Sequence, residues 1–131
     1  MIQANNIVYS DITPDFSIHP VTGNLIRLIN EGSIKKSIYN LIMTNRGERY
    51  FQPLVGGSIQ HFLFEPMTIV TQNNIQNAIA ETISNYEPRA DNVTVTVSPD
   101  YTNDAYNISV IFTLLNIPNP VILNITLSRL R

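Results

Sequence analysis

The chain contains no cysteine, which excludes disulfides and every thiolate metal site. Charge is scarce as well. Asp, Glu, Lys and Arg make up 14% of its 131 residues, against about 25% in an average globular protein. Much of the surface is therefore left to Asn, Ser and Thr or to other proteins, as in a subunit of a larger assembly. The formal net charge is −2, and Lys35-Lys36 is a pair rather than a patch. Nucleic-acid binding rests on a basic face that releases counterions, so no nucleic-acid partner is expected. The two histidines, His19 and His61, stand far apart in loop regions. A metal centre needs several ligands brought together, so no metal and no cofactor are expected. No apolar run approaches the ~20 residues that span a bilayer. The opening Met1–Asn6 segment lacks the basic stretch and apolar run of a signal peptide. The expected setting is a cytoplasm, without a membrane partner.

What is present is apolar: 44% of the residues are hydrophobic, enough for one core at a length typical of one domain. The chain reads as a single domain over residues 1–131, with an N-terminal ordered arm (1–32), a helical part (33–91) and a β-meander (92–131). In the arm, Asp11, Pro14, Pro20 and Gly23 punctuate an irregular path, while Ile7, Val8, Tyr9, Phe16 and Ile18 can pin it to a surface. Ser33 is the expected N-cap of a first helix. Ile34, Ile38, Leu41 and Ile42 follow one helical stripe, which stops near Thr44-Asn45-Arg46-Gly47. Residues 47–66, rich in Gly, Pro and aromatics, read as a packed loop with room for a short hairpin. Phe62, Leu63 and Phe64 return there to the core.

The second helix is the clearest element. Thr68 or Thr71 caps it, and Ile75, Ala78, Ile79, Thr82, Ile83 and Tyr86 share one face. It must end by Glu87, because the residue before a proline is pushed out of the α region. From Asn92 the period becomes two: Val93, Val95 and Val97, then Tyr106, Ile108, Val110, Phe112 and Leu114. Ile111 and Leu115 load the other face of that second strand, which predicts a central strand covered on both sides. After a turn at residues 116–120, a third strand runs from Val121 to Leu130. The predicted class is α+β: two main helices packed on a small antiparallel sheet, with the arm in front.

Enzymatic signatures are thin. No Gly-x-Ser-x-Gly elbow and no phosphate-binding Gly loop followed by Lys-Ser/Thr occur. Glycoside hydrolysis needs two carboxylates roughly 5–9.5 Å apart. Glu65 and Glu87, each preceding a proline, would sit on the order of 25–30 Å apart at opposite ends of the second helix. Glu48 with Glu87, or Glu81 with Asp91, carry no supporting signature. No catalytic residue is assigned, and a lysozyme-like glycan hydrolase stays as the alternative to a structural role.

Three stretches carry a family resemblance. They are Tyr9-Ser10-Asp11-Ile12; Ser33-Ile34-Lys35-Lys36-Ser37-Ile38 running to Thr44-Asn45-Arg46-Gly47-Glu48-Arg49, with Phe51, Pro53 and Gly56 behind it; and Leu63-Phe64-Glu65-Pro66-Met67-Thr68 followed by Asn85-Tyr86-Glu87-Pro88-Arg89. In this order the chain resembles the small baseplate wedge proteins of contractile-tailed phages. Some members carry a lysozyme-like label, and the family includes the small baseplate subunit of type VI secretion systems. The resemblance implies a structural protein of the virion tail baseplate, assembled in the host cytoplasm. It implies docking on the helical core bundle of the larger wedge subunits, tail tube or hub neighbours, and initiation of the tail sheath. It places the docking role on Glu87, Pro88 and Arg89, and less directly on Gly47 and Arg49. Pro88 fixes the backbone so that a carboxylate and a guanidinium leave the helix end in set directions, suited to charge-assisted bonds with a partner. The alternative is that Glu87 and Arg89 pair locally or brace the following strand. The sheath-initiating role implies strand exchange at a sheet edge. The expected edge is the third strand: Val121, Ile122, Leu123, Asn124, Ile125, Thr126 and Leu127.

Overall fold

The computed structural model describes residues 9–115 and 117–129. Ile7, Val8, Asn116, Leu130 and Arg131, for which the sequence suggests roles, lie outside the described residues. Contacts divide the chain into two compact units, residues 1–36 and 37–131.

In the first unit, strands β1 (Ser10–Ile12) and β2 (Arg27–Ile29) pair antiparallel, with Asp11 opposite Leu28. An isolated bridge joins Ile18 to Leu25, and His19 and Asn24 close the tip through a 2.8 Å backbone bond. The expected irregular arm is therefore a twisted hairpin over its described part. Its strands are too short, and its exposed residues too mixed, for an alternating pattern to be legible. Helix α1 spans Glu31–Met43 and crosses from the first unit into the second. Ser33 is not its N-cap. The helix starts three residues earlier than that cap would set, behind Asn30 in the left-handed region at φ 47°, and the Asn30 carbonyl accepts from the Ile34 amide. Ser33 is buried inside the first turn.

The second unit holds the C-terminal part of α1, a 3-10 helix at Ile59–Phe64, helix α2 (Ile69–Tyr86) and strands β3 (Ala90–Asp100), β4 (Ala105–Leu114) and β5 (Ile117–Ser128). The three strands form an antiparallel sheet in the order β3-β4-β5. Helix α2 lies against β3 and is followed by it directly. Thr68 caps α2 as expected, its hydroxyl accepting from the Thr71 amide at 3.2 Å. Ile75, Ile79 and Ile83 are fully buried along the face that Val95 and Val97 of β3, and Ile108, Val110 and Phe112 of β4, join in one core.

Several details differ from expectation. Strand β3 begins at Ala90, and its register breaks between Asp91 and Thr94, with Asn92 at φ 49°. This bulge hid the strand's first residues from a period-two reading. Strand β5 begins at Ile117 rather than Val121, since prolines are tolerated on an edge strand. Strand β4 is central, yet one face stays open within this chain: Ile111 and Leu115 are exposed. Residues 47–66 carry turns and the 3-10 helix, not a hairpin. Leu63 is buried there, whereas Phe62 is half-buried and Phe64 exposed.

The loop after α1 depends on one glycine. Gly56 has φ 126°, and the Gly57 amide bonds to the Thr44 carbonyl at the helix end. A Cβ at position 56 would collide with that same carbonyl. Gly56→Ala is therefore expected to cost on the order of 2–4 kcal/mol, from left-handed strain plus a backbone clash. Chemical denaturation should read this as a midpoint shift without a change in slope.

Candidate assembly site

The end of α2 is built so that its last turn, the proline stop and the first residue of β3 fall within a few positions. Glu87 leaves helical geometry at φ −127°, ψ 77°, while its amide still bonds to the Ile83 carbonyl. Pro88 makes the stop unconditional. Its carbonyl-side neighbour Arg89 then enters the sheet: the Arg89 carbonyl accepts from the Leu115 amide at 3.3 Å. The side chains of Glu87 and Arg89, two positions apart, close on each other. Arg89 Nε lies 2.6 Å from Glu87 Oε1, and Nη2 lies 2.8 Å from Oε2. The Ser37 hydroxyl of α1 also donates to Oε2.

Burial divides the pair unequally. Glu87 is 2% exposed, whereas the Arg89 side chain is 30% exposed and Pro88 is open to solvent. Burial by itself would push the Glu87 carboxyl up. The bonds from Arg89 and Ser37, with the guanidinium charge beside it, outweigh burial and hold it below its ordinary value of 4.5. So the carboxylate expected to leave the helix end turns inward, and the guanidinium is the part that reaches the surface. Ser37 went unassigned by sequence reasoning. It is separated from Glu87 by 50 positions, and a serine beside the apolar stripe of α1 carries no signal naming its partner.

Gly47 and Arg49 lie on a different, exposed segment. Gly47 adopts φ 85°, and its amide bonds to the Pro53 carbonyl at 2.6 Å. The Glu48 carboxylate accepts from the Asn45 amide at 2.8 Å, and Arg49 is exposed. The same loop displays Tyr50 and Phe51 almost completely to solvent, and Leu54 largely so. Tyr86 ties this loop to the end of α2 through a 2.7 Å bond from its hydroxyl to the Leu54 carbonyl.

Strand β5 is an edge strand among the described residues. Its hydrogen-bonding phase follows from one bond. Arg129 donates its amide to the Asp104 carbonyl at 2.8 Å, just beyond the facing pair Ala105 and Ser128. Backbone groups alternate sides along a strand, so Leu127, Ile125, Leu123 and Val121 face β4. Those of Ser128, Thr126, Asn124 and Ile122 face outward. Pro120 falls on the outward row, and Pro118 lacks an amide too. Over the regular stretch of β5, before its register against β4 shifts beyond Val121, the outward donors are thus Ile122, Asn124, Thr126 and Ser128, all but the last within the segment expected from sequence to pair.

Glu65 and Glu87 flank the 18 residues of α2, about 27 Å of helix at 1.5 Å per residue. A carboxylate held by a two-pronged guanidinium and a hydroxyl, with its pKa lowered, is poorly suited to donate a proton to a glycosidic oxygen. Among the described residues no group of three or more His, Asp or Glu side chains could hold a metal ion, and no helix is long and apolar enough to cross a membrane.

Comparison with known proteins bears on the family and the fold. Residues 30–118 match the family model described as baseplate wedge protein gp25. The chain is 32% identical over 116 residues to the baseplate wedge protein gp25 of Enterobacteria phage T4, covering 88% of this chain and 87% of that protein. Among solved structures, a Geobacter sulfurreducens protein described as a tail lysozyme is similar at 25% identity and a TM-score of 0.69, over 75% of this chain and 89% of that one. A chain of the anti-feeding prophage baseplate shares the fold at 23% identity and a TM-score of 0.64, over 94% and 87%. So does a chain of the type VI secretion baseplate complex, at 14% identity and a TM-score of 0.56, over 73% and 92%.

Proposed function

The chain belongs to the baseplate wedge protein gp25 family, and from that premise we propose that it is a non-enzymatic subunit of a phage tail baseplate that docks on larger wedge subunits and starts the tail sheath. The observation that carries the docking half is the division of labour in the α2 terminus. Glu87 and Ser37 hold the guanidinium of Arg89 at the surface beside exposed Pro88. Glu87 acts as a positioning residue, and Arg89 with Pro88 supplies the contact. An arginine oriented in advance loses less freedom on binding than one that must be ordered by its partner. Gly47 and Arg49, on the loop tied to Tyr86, extend this face toward the helical core bundle of the wedge. The sheath half rests on the outward amides of β5, which a sheath strand would satisfy.

Arg89→Lys separates docking from folding, because lysine keeps a cation beside Glu87 but loses the two-pronged fork. The variant is expected to remain folded by circular dichroism and to lose co-purification with the wedge subunits by about ten-fold or more. Undiminished co-purification would remove the docking role. The similarity to a protein described as a tail lysozyme calls for a second measurement. A peptidoglycan suspension incubated with the chain should keep its turbidity. Clearing that disappears in Glu87→Gln would replace the structural reading with a hydrolytic one.

A further inference from the structure

A groove of about 280 Å³ opens beside the C-terminal half of β5, lined chiefly by Ile42, Met43, Ile59, Leu63 and Leu127, with Thr126 and Ser128 on its border. Thr126 and Ser128 are residues whose backbone groups face outward from the sheet, while the Leu127 side chain turns to the buried side. The groove therefore lies along the edge that an added strand would occupy, on the side of the sheet where α1 ends and the 3-10 helix begins. Side chains of a strand alternate between faces, so a strand hydrogen-bonded to Ile122–Ser128 would send every second side chain toward this groove. Strand addition draws affinity from main-chain bonds and specificity from pockets that take alternate side chains.

We propose that the groove is a specificity pocket for one large apolar side chain, leucine or an aromatic, carried by an otherwise polar extended segment that pairs with Ile122–Ser128. This inference rests on the reading of β5 as a strand-accepting edge. It adds the chemistry of the partner: a segment with a single large apolar residue opposite Leu127. Five of its eight lining residues are apolar and none is charged, the polar ones being Gln60, Thr126 and Ser128, which suits an apolar side chain better than an ion. Pro118 and Pro120 carry no amide and the register shifts between Phe112 and Leu114, so the regular outward row begins at Ile122 and runs to the groove.

The lack of cysteine in the chain makes a direct test available. A Gln60→Cys variant carries one thiol at the exposed border of the groove. It is equilibrated under 2-mercaptoethanol with nine-residue peptides of Thr and Ser that bear one variable position (Phe, Leu, Ala or Asp) and one cysteine supplied as its mixed disulfide with 2-mercaptoethanol, so that capture by the protein thiolate releases 2-mercaptoethanol. The fraction disulfide-linked is read by intact mass. Phe and Leu peptides are expected to exceed Ala and Asp by about ten-fold. That preference should vanish when Asn124→Pro removes an outward amide, and when Met43→Lys places a cation on the groove wall. Capture that Asn124→Pro abolishes but that ignores both the variable residue and Met43→Lys would overturn the pocket and leave the strand-accepting edge standing. An apolar preference that survives Asn124→Pro would overturn the strand-borne occupant. Capture no better than that of free cysteine, for every peptide, would remove the edge and the pocket together.

Discussion

Arg89→Ala is expected to destabilise the chain by about 2–4 kcal/mol at pH 7, the lower part of the range for breaking a buried ion pair because Arg89 is itself partly solvated. Truncating arginine leaves the buried Glu87 carboxylate with the Ser37 hydroxyl and the residue-89 backbone amide but without its countercharge. Glu87→Gln removes the charge but keeps an acceptor of similar shape, and should cost about half as much. The pH dependence distinguishes the two. In the natural chain the Glu87 pKa lies below 4.5 when folded, so its stabilisation is present above that value and is lost as pH falls through the folded pKa. In Arg89→Ala the bonds and charge of the guanidinium are gone while burial stays, so the folded pKa moves up from its natural position. Less stability is then lost on acidification than in the natural chain. The two stability curves should therefore converge as pH falls. Urea midpoints between pH 4 and 7 measure both slopes. Parallel curves for Arg89→Ala and the natural chain would show that the pair contributes nothing net.

The same pair shows where sequence reasoning succeeds and where it stops. The position of the α2 terminus followed from Pro88, a local steric fact, and Thr68 as cap followed from its hydroxyl. Helix α2 ends at Tyr86, as that argument requires. The class, the antiparallel meander and the central place of β4 followed from the change of period after the helix. The inward turn of Glu87 was open, because it depends on Ser37 and on the height at which β3 enters the sheet. Neither is a property of residues 86–89 alone. The bulge at Asn92 and the prolines in β5 misplaced strand ends for a related reason. Local residues that look like turn formers were overridden by pairing with β4, which supplies the rest of the ladder. In the first unit the hairpin was missed because β1 and β2 are three residues each, shorter than any window that resolves a period. Phe64, Tyr50 and Phe51 went the other way. Their bulk suggests burial, yet they are exposed in the isolated chain, as suits a subunit whose surface is completed by others.

Proline scanning of β5 should give a two-residue alternation with a large amplitude. Leu123→Pro removes an amide that faces β4 and breaks the ladder at its middle, at a cost on the order of 3 kcal/mol with loss of the folded baseline near physiological temperature. Asn124→Pro removes an amide that faces outward, and edge strands accept proline there, as Pro120 already shows on the same row. Its stability should stay within about 1 kcal/mol of the natural chain. If β5 receives the sheath, Asn124→Pro should nonetheless yield baseplates that contain the subunit and tails that lack sheath, counted by negative-stain electron microscopy. Thermal melts of the two variants test the phase deduced from the Arg129–Asp104 bond, and sheath counts test the function. Equal stability of both variants would mean the outward row has been assigned to the wrong residues. A stable Asn124→Pro with normal sheaths would place sheath initiation on another edge. The outer edge of β3 would be the next to scan, since it is the remaining margin of the three-stranded sheet among the described residues.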